Sequence, residues 1–249
     1  NVNRTRMYGV LTMPKKEGKY PSILKVPGAG VHAMSGNVAW AAKGAIVLEI
    51  GIHGIPVILE SGLYSDLSNG VLSNYVLHGI ENRDTYFFRR VYLGCVKAVD
   101  FLLSLPKSNG KVGVIGGSQG GMLSLATSYL DKRISATGVY FPAFCDQEAY
   151  MHGRTGGWPH FFKNKENCQK EYLETARYYD GANFARKLTA PVYYAFGYND
   201  ITCGPTTSTA TYNAITAPKQ VVIGVNEGHW LFPEHINGMW EWMIKELNK

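Results

Sequence analysis

The sequence predicts one α/β domain over residues 1–249, built on a mainly parallel, twisted sheet with helices on both faces. Three observations lead to this fold class. Short apolar runs alternate with longer helical patterns, and neither repeats nor a linker rich in Pro, Gly and Ser divides the chain. A chain of 249 residues also suits a single α/β domain. With 45% hydrophobic and 18% charged residues, the composition is that of a globular domain.

Seven short apolar runs are the predicted strands. They lie at Met7–Met13, Ser22–Val26, Ala45–Ile50, Val112–Ile115, Ala136–Tyr140, Val192–Phe196 and Gln220–Val225. The first two are joined by the turn-like residues 14–19, so we expect them to pair as an antiparallel hairpin at the start of the sheet. Most of the later runs are separated by helical patterns, as βαβ units require.

Three helices have clear signals. The first runs from about Arg83 to Leu105 and ends before Pro106 and Gly110. Its apolar positions are spaced to face the sheet: Val91, Val96, Val99 and Leu103. A second helix should follow Ser118, with its inner face formed by Met122, Leu125 and Leu130. A third should occupy about residues 236–247.

One segment, residues 146–180, interrupts the alternation of strands and helices. It is rich in aromatic side chains, namely Tyr150, Trp158, Phe161, Phe162, Tyr172 and Tyr178. An excursion of this length between two strands predicts a helical lid or pocket wall. The alternative is a packed helical insertion that makes no contact with a ligand.

Charge, cysteine content and hydropathy narrow the classes of partner. The net charge of +6 comes from scattered basic residues without a tract of interleaved aromatics, so we expect no nucleic-acid partner. The four cysteines show no Cys-x-x-Cys pair and no metal-ligand spacing, so we expect neither a metal nor a disulfide scaffold. The apolar stretches are strand-sized, and we expect no membrane association.

The chain begins at Asn1 rather than Met, which suggests a processed or trimmed product and then favours a secreted or periplasmic location.

The strongest motif is Gly116-Gly117-Ser118-Gln119-Gly120, a G-x-S-x-G pattern between a predicted strand and a predicted helix. This is the context of the nucleophile elbow of the α/β-hydrolase fold. The serine must sit on a tight, strained turn, and side chains two positions away on either side would collide, so Gly116 and Gly120 are required. A phosphate-binding loop is excluded by the lack of G-x-x-x-x-G-K-[ST]. Ser118 is therefore the candidate nucleophile.

A serine hydroxyl needs a base, and in this fold an acid and then a histidine follow the serine along the chain. The later histidines are His152, His160, His229 and His235. His229 follows the last predicted strand, where active-site loops gather, and is the candidate base. Asp200 lies just beyond the strand Val192–Phe196, 29 positions before His229, and is the candidate acid. The weaker acid candidates are Asp146, Asp180 and Glu227.

Two backbone N–H groups should receive the oxyanion that forms on the attacked carbonyl. One belongs to Gln119, the residue after the nucleophile. The other is assigned to Ala29, in the glycine-rich loop after an early strand, although a flexible turn is the alternative reading of that loop. The residues assigned to the substrate pocket are Gly28, Pro142, Trp158 and Trp230. This chemistry requires no cofactor.

The order of motifs resembles the acetyl xylan esterase/cephalosporin C deacetylase family. The similar stretches are Tyr86–Pro106, Gly113–Leu130, Tyr140–Asp146 and Gly197–Pro205. The resemblance implies deacetylation of small acetylated carbohydrates, with Ser118, Asp200 and His229 as the triad. It also implies that Ala29 and Gln119 lie near the oxyanion.

The chain departs from this family at three places. Ile52-His53-Gly54 stands where the family usually has Arg-Gly-Gln, and His229-Trp230 stands where it has His-Glu. Pro27-Gly28-Ala29 replaces His-Gly-Tyr, which removes an aromatic wall and keeps the backbone N–H. We therefore expect the triad to be retained and the substrate preference to shift.

The resulting hypothesis is a two-step acyl transfer by a serine esterase. One alternative is a peptidase of the prolyl-oligopeptidase type, which also uses a G-x-S-x-G-G turn. Another is a non-catalytic hydrolase-fold module that binds carbohydrate or protein. The sequence leaves open whether copies of the chain form a homo-oligomer.

Overall fold

Seven strands form one sheet within residues 6–249, the part of the chain that the computed structural model describes. They are β1 (Tyr8–Thr12), β2 (Tyr20–Lys25), β3 (Ile46–Gly51), β4 (Ser108–Gly117), β5 (Ile134–Tyr140), β6 (Val192–Gly197) and β7 (Lys219–Gly224). Their order across the sheet is β1-β3-β2-β4-β5-β6-β7. All neighbouring pairs are parallel except β1 and β3. The predicted mainly parallel sheet is confirmed, and each predicted strand overlaps an observed one.

The predicted hairpin between the first two strands is wrong. Strand β1 pairs antiparallel with β3, with Tyr8 opposite Gly51 and Thr12 opposite Val47. Strand β2 is flanked by β3 and β4 instead. The physical reason is burial: the middle of β2 is fully enclosed, whereas β1 is only half-buried and suits the edge.

Eight α-helices surround the sheet within the described range. They are α1 (Val38–Ala42), α2 (Ser61–Asn69), α3 (Phe87–Ser104), α4 (Gln119–Leu130), α5 (Lys170–Tyr179), α6 (Gly181–Ala185), α7 (Pro205–Ala214) and α8 (Pro233–Leu247). Helices α1 and α8 meet through stacked rings of Trp40 and Trp240, 5.0 Å apart. Gly113 of β4 faces α8, so the alternation of a strand turns Val112 and Val114 to the opposite face. Both are fully buried there, and the sheet is thus covered on both faces.

The inner faces of α3 and α4 differ in detail from the prediction. In α3, Val91 and Val99 are fully buried as expected, but Val96 and Leu103 are only half-buried. Their places against the core are taken by Cys95 and Leu102, one position earlier in each case. In α4, Met122 and Leu125 are buried, whereas Leu130 is 44% exposed because it is the last residue of the helix.

The segment between β5 and β6 contains α5, α6 and three short 3₁₀ helices, at Gln147–His152, Phe161–Lys163 and Lys165–Asn167. It has a small apolar cluster of its own, in which Phe162 packs with Leu173 and Ala176. Its two ends are joined because the Asp180 carboxylate accepts the backbone N–H groups of Asp146 and Gln147 at 3.0 and 2.9 Å. The role of residues 146–180 as a lid stays a prediction.

The sheet order creates a crevice at the carboxyl end of β2. Strand β3 lies on one side of β2 and β4 on the other, so the connections that leave β2 and β4 diverge there. Such a topological switch point is where ligands bind in open α/β sheets. Among residues 6–249, none of the helices combines the length and the apolar character needed to cross a bilayer.

Candidate active site

Ser118 sits on the strained turn that the motif predicts. It lies between β4 and α4 with φ 55° and ψ −124°, a conformation that costs a non-glycine residue about 1–3 kcal/mol. The turn is held by backbone hydrogen bonds on both sides. The Ser118 N–H donates to the Tyr140 carbonyl at 3.0 Å, and the Ser118 carbonyl accepts the Ala143 N–H at 2.9 Å. The strain is therefore balanced by the end of β5 and the loop that follows it.

The close packing around the elbow confirms the need for Gly116 and Gly120. A Cβ atom on Gly116 would lie 2.6 Å from the Gly120 carbonyl oxygen, and one on Gly120 would lie 2.5 Å from the Val26 carbonyl oxygen. Neither distance is compatible with a side chain, because both neighbours are backbone atoms. The absence of these two side chains lets α4 begin directly against the loop after β2.

Asp200 and His229 converge on Ser118 from the ends of two other strands. Asp200 follows β6, and His229 follows β7. The His229 Nε2 atom lies 3.0 Å from Ser118 Oγ, and its Nδ1 atom lies 2.8 Å from Asp200 Oδ2. The structure thus brings all three predicted side chains into one hydrogen-bonded line. Because a carboxylate can only accept, the proton of the neutral imidazole belongs on Nδ1 and the Nε2 lone pair faces the hydroxyl.

Both carboxylate oxygens of Asp200 are engaged. Oδ1 accepts the backbone N–H groups of Thr202 and Cys203, each at 2.8 Å, while Oδ2 faces His229. The Asp200 side chain is buried, whereas the imidazole of His229 is 28% exposed. The turn 200–203 therefore sets the direction of the carboxylate, and the histidine keeps one side open to an incoming molecule. The ring of Phe141 packs against the imidazole with centroids 4.6 Å apart.

The three weaker acid candidates have partners elsewhere. Asp180 binds backbone N–H groups at the base of the insertion, and Asp146 forms an ion pair with Arg154. Glu227 accepts the Phe232 N–H at 3.0 Å and lies 2.7 Å from a ring nitrogen of His235.

The two N–H groups assigned to the oxyanion belong to segments that touch. The Gln119 side-chain amide donates to the Gly28 carbonyl at 3.1 Å, which joins the start of α4 to the loop after β2. Within the described residues, neither the Gln119 nor the Ala29 backbone N–H has a hydrogen-bond acceptor. Ala29 is exposed. Their role as oxyanion donors stays a prediction.

The residues assigned to the pocket occupy different surroundings. Gly28 lies beside the elbow, since a Cβ atom placed on it would be 3.8 Å from the Gly117 carbonyl oxygen. Pro142 is buried against Gly121 in the first turn of α4. Trp158 packs edge-on to a buried phenylalanine, and Trp230 is 49% exposed next to His229. Contact of these residues with a substrate stays a prediction.

The family of this chain follows from its similarity to known proteins. The model of the acetyl xylan esterase family (AXE1) matches residues 1–246. The chain belongs to the acetyl xylan esterase family. This is a family of serine esterases, so the resemblance seen in the sequence is confirmed.

Three relatives illustrate the similarity. The acetyl esterase Axe7A of Xylanibacter ruminicola is 41% identical over 98% of this chain, and the chain spans only 57% of that protein's length. The solved structure of an acetyl xylan esterase from Paenibacillus sp. R4 is 29% identical, with a TM-score of 0.81 over 96% of this chain and 79% of that one. Acetyl xylan esterase 1 from Thermoanaerobacterium sp. JW/SL YS485 is 22% identical, with a TM-score of 0.79 over 95% of this chain and 78% of that one. These structures confirm the α/β-hydrolase fold.

Several residues near Ser118 carried little signal in the sequence. Cys203 is one: burial, and then the Asp200 carboxylate, raise the pKa of its thiol. The thiol therefore stays protonated, and Ser118 remains the candidate nucleophile. Phe141 lies after β5, and only the folded chain shows that its ring contacts His229. Tyr75 has no motif around it, and His53 was noted only as a departure from the family's usual Arg-Gly-Gln; both contact the loop after β2.

Proposed function

We propose that this chain hydrolyses acetyl esters of small carbohydrates through an acyl-enzyme mechanism. Ser118 is the nucleophile, His229 the general base, and Asp200 the carboxylate that orients His229. The observation that carries this proposal is the line of hydrogen bonds, 2.8 and 3.0 Å long, that ends on a serine at a strained elbow. Membership of the acetyl xylan esterase family supports an acetyl ester as the substrate.

Acylation begins when Ser118 Oγ attacks the ester carbonyl carbon and its proton passes to His229 Nε2. The imidazolium that forms is stabilised by the buried Asp200 carboxylate, which stays ionised. The carbonyl oxygen becomes an oxyanion and accepts hydrogen bonds from the N–H groups of Gln119 and Ala29. The dipole of α4, whose first residue is Gln119, adds partial positive charge at the same point.

Collapse of this intermediate breaks the bond between the carbonyl carbon and the sugar oxygen. His229 returns its proton to that oxygen, the alcohol leaves, and an acetyl group remains on Ser118. A water molecule then attacks the acetyl carbonyl while His229 takes one of its protons. The second collapse releases acetic acid and restores the Ser118 hydroxyl.

Selectivity for a short acyl group is assigned to the walls of the crevice. Pro142 is buried beside the first turn of α4, and Trp158 belongs to the insertion 146–180. We propose that these side chains shorten the acyl pocket and that the insertion forms one of its walls. Trp230 is exposed beside His229, and we propose that it contacts the sugar.

The test is a substrate series assayed by released acid. It comprises acetylated xylo-oligosaccharides, aryl esters of increasing acyl length, and a peptide amide. We expect acetyl esters to be the best substrates and activity to fall with each added carbon. Faster turnover of the peptide amide would replace this proposal by the peptidase alternative, and no turnover of any substrate by a folded chain would favour a binding module.

The nucleophile is tested by Ser118→Ala. We expect kcat for aryl acetate to fall by about 10⁴-fold or more, because a triad without its nucleophile loses covalent catalysis. The control is the thermal midpoint of the variant, which should stay close to that of the wild type because alanine leaves the backbone of the turn unchanged. Residual activity within tenfold of the wild type would reject the assignment of Ser118.

A further inference from the structure

The loop Pro27–Gly30 is tied to the start of α4 by the side chain of Gln119, the first residue of that helix, and by the side chain of Tyr75. The fully buried Gln119 amide donates to the carbonyl oxygens of Gly28 and Pro27 at 3.1 and 3.4 Å. The Tyr75 hydroxyl donates to Gln119 Oε1 at 2.7 Å and accepts the Gly30 N–H at 3.0 Å. One hydroxyl thus joins the segment that carries the Ala29 N–H to the residue that carries the second N–H.

His53 holds the other side of the same loop. Its Nε2 atom lies 2.9 Å from the Gly30 carbonyl oxygen, so a proton on Nε2 is required for a hydrogen bond. The ring of His53 meets the ring of Tyr75 edge to face, with centroids 4.5 Å apart. Gly30 adopts φ +119° and has both of its peptide groups bound by these two side chains.

The protonation states of both residues suit this arrangement. Burial raises the pKa of Tyr75 to about 12, so the hydroxyl keeps the proton that it donates to Gln119. Burial lowers the pKa of His53, and the nearby Arg90 lowers it further. The His53 Nδ1 atom is buried and has no partner among the described residues, so the neutral Nε2–H tautomer is the form that fits.

We propose that Tyr75 is a positioning residue that holds the Ala29 and Gln119 N–H groups at the separation needed to bind one oxyanion, with His53 supporting it from behind the loop. This inference rests on the proposed function. Tyr75 lies 45 positions from Gly30 and 44 from Gln119, and neither contact touches the reacting atoms. Its effect on catalysis passes through its contacts with Gly30 and Gln119, which position the two N–H groups.

The expected signature is a loss in the transition state without a loss of substrate binding. A misplaced donor stabilises the oxyanion less, whereas the planar carbonyl of the bound ester carries little charge to stabilise. We expect Tyr75→Phe to lower kcat for aryl acetate by about 10- to 100-fold, since an error of 1 Å in position costs about that much. KM should stay within about twofold, as it does when an interaction exists only in the transition state.

A boronic acid that adds to Ser118 provides a second readout, because its tetrahedral adduct places an oxygen where the oxyanion would be. Its affinity for Tyr75→Phe should fall in parallel with kcat/KM. A residue that merely stabilises the fold would leave this affinity unchanged at a temperature where the variant is folded.

The chain offers a matched control in Tyr64. This tyrosine is also buried, and its hydroxyl accepts the Leu59 N–H and donates to the Pro56 carbonyl, both at 2.9 Å. Tyr64→Phe therefore also removes one accepted and one donated hydrogen bond, from a loop that has no hydrogen bond to the Gln119 side chain among the described residues. We expect a comparable decrease in thermal midpoint for the two variants, with kcat and boronate affinity changed only in Tyr75→Phe.

His53 gives a test that keeps the Tyr75 hydroxyl. His53→Leu removes the donor to Gly30 and should lower kcat several-fold, while His53→Gln supplies an N–H at a similar reach and should retain activity near that of the wild type. If Tyr75→Phe fails to fold, this pair decides the matter: equal activity of the Leu and Gln variants contradicts the inference.

The outcomes separate this inference from the proposed function. If Ser118→Ala abolishes turnover while Tyr75→Phe matches the wild type in kcat and boronate affinity, the positioning role is wrong and the esterase proposal stands. A Tyr75→Phe variant that raises KM and leaves kcat unchanged also overturns it. If Ser118→Ala retains turnover, the proposed function itself fails.

Discussion

Two segments meet at the crevice, and they are held in place by different means. The elbow around Ser118 is signalled by its neighbours in sequence, namely glycines two positions away on either side, a strand before it and a helix after it, and backbone hydrogen bonds to Tyr140 and Ala143 then hold it. The loop Pro27–Gly30 has glycines but no such determinants, and it is held by Gln119, Tyr75 and His53. The comparison teaches that the local sequence reveals the position of the nucleophile, whereas the position of the loop assigned to the oxyanion depends on side chains from distant parts of the chain.

The largest expected effect on kcat comes from changing the Asp200 carboxylate, which lies outside the elbow and leaves it intact. In Asp200→Asn, the amide retains an oxygen for the N–H groups of Thr202 and Cys203 but turns an N–H toward His229. The imidazole must then expose the wrong tautomer to Ser118, and kcat should fall by about 10⁴-fold. The measurement is kcat for aryl acetate, with far-UV circular dichroism as the control for folding. Near-normal rates would mean that another acid orients His229.

The next effect compares one glycine from each segment. A Cβ atom on Gly120 would lie 2.5 Å from the Val26 carbonyl oxygen, whereas one on Gly28 meets nothing closer than 3.8 Å. We expect Gly120→Ala to cost about 1–3 kcal/mol or more in the free energy of unfolding through overpacking. Its kcat should fall by about 10²-fold, because the backbone at the elbow must shift.

Gly28→Ala is the matched partner of that variant. It should leave the free energy of unfolding within about 0.5 kcal/mol of the wild type, as substitutions that meet no close neighbour usually do, and its effect on kcat should be smaller than that of Gly120→Ala. Urea unfolding and steady-state kinetics on both variants provide the comparison. Equal losses in the two would show that the loop is as tightly specified by its own backbone as the elbow is.

The smallest effect is a pH dependence on the loop side. The pKa of His53 is lowered from 6.5 by burial and by Arg90 and His32, so His53 takes up its proton at a higher pH in the unfolded chain than in the folded chain. As the pH falls below 6.5, this difference reduces the free energy of unfolding progressively until the folded-state pKa is reached. The stability associated with His53 is therefore complete at pH values above the unfolded-state pKa of 6.5 and is lost on the acid side.

The check is to measure the thermal midpoint of the wild type and of His53→Gln between about pH 7.5 and about pH 5. These two pH values bracket the ordinary histidine pKa of about 6.5. We expect the decline on acidification to be shallower in His53→Gln, which cannot be protonated. Parallel curves for the two proteins would show that His53 takes up its proton as readily in the folded chain as in the unfolded one.

Much of the fold could be predicted because it depends on local patterns. Strand and helix positions follow from hydrophobic period, and the order Ser118, Asp200, His229 follows from the elbow motif and from the ends of β6 and β7. The pairing of β1 was mispredicted because strand partners are chosen by burial across the whole sheet. In α3 the helical period was correct, but the face that meets the sheet was misplaced by about one position at Cys95 and Leu102.

The sequence by itself determined the position of the candidate nucleophile. A serine flanked by glycines between an apolar strand and an apolar helix predicts one kind of turn, the nucleophile elbow. Only the tertiary structure decided what surrounds it. Tyr75 and Gly30 are 45 positions apart, and no periodicity or spacing links a tyrosine to a loop at that distance. The physical reason is range: steric and hydrogen-bonding rules along the backbone act over a few residues. The contacts of Gln119, Tyr75 and His53 with the loop Pro27–Gly30 depend on how all the intervening helices and strands pack.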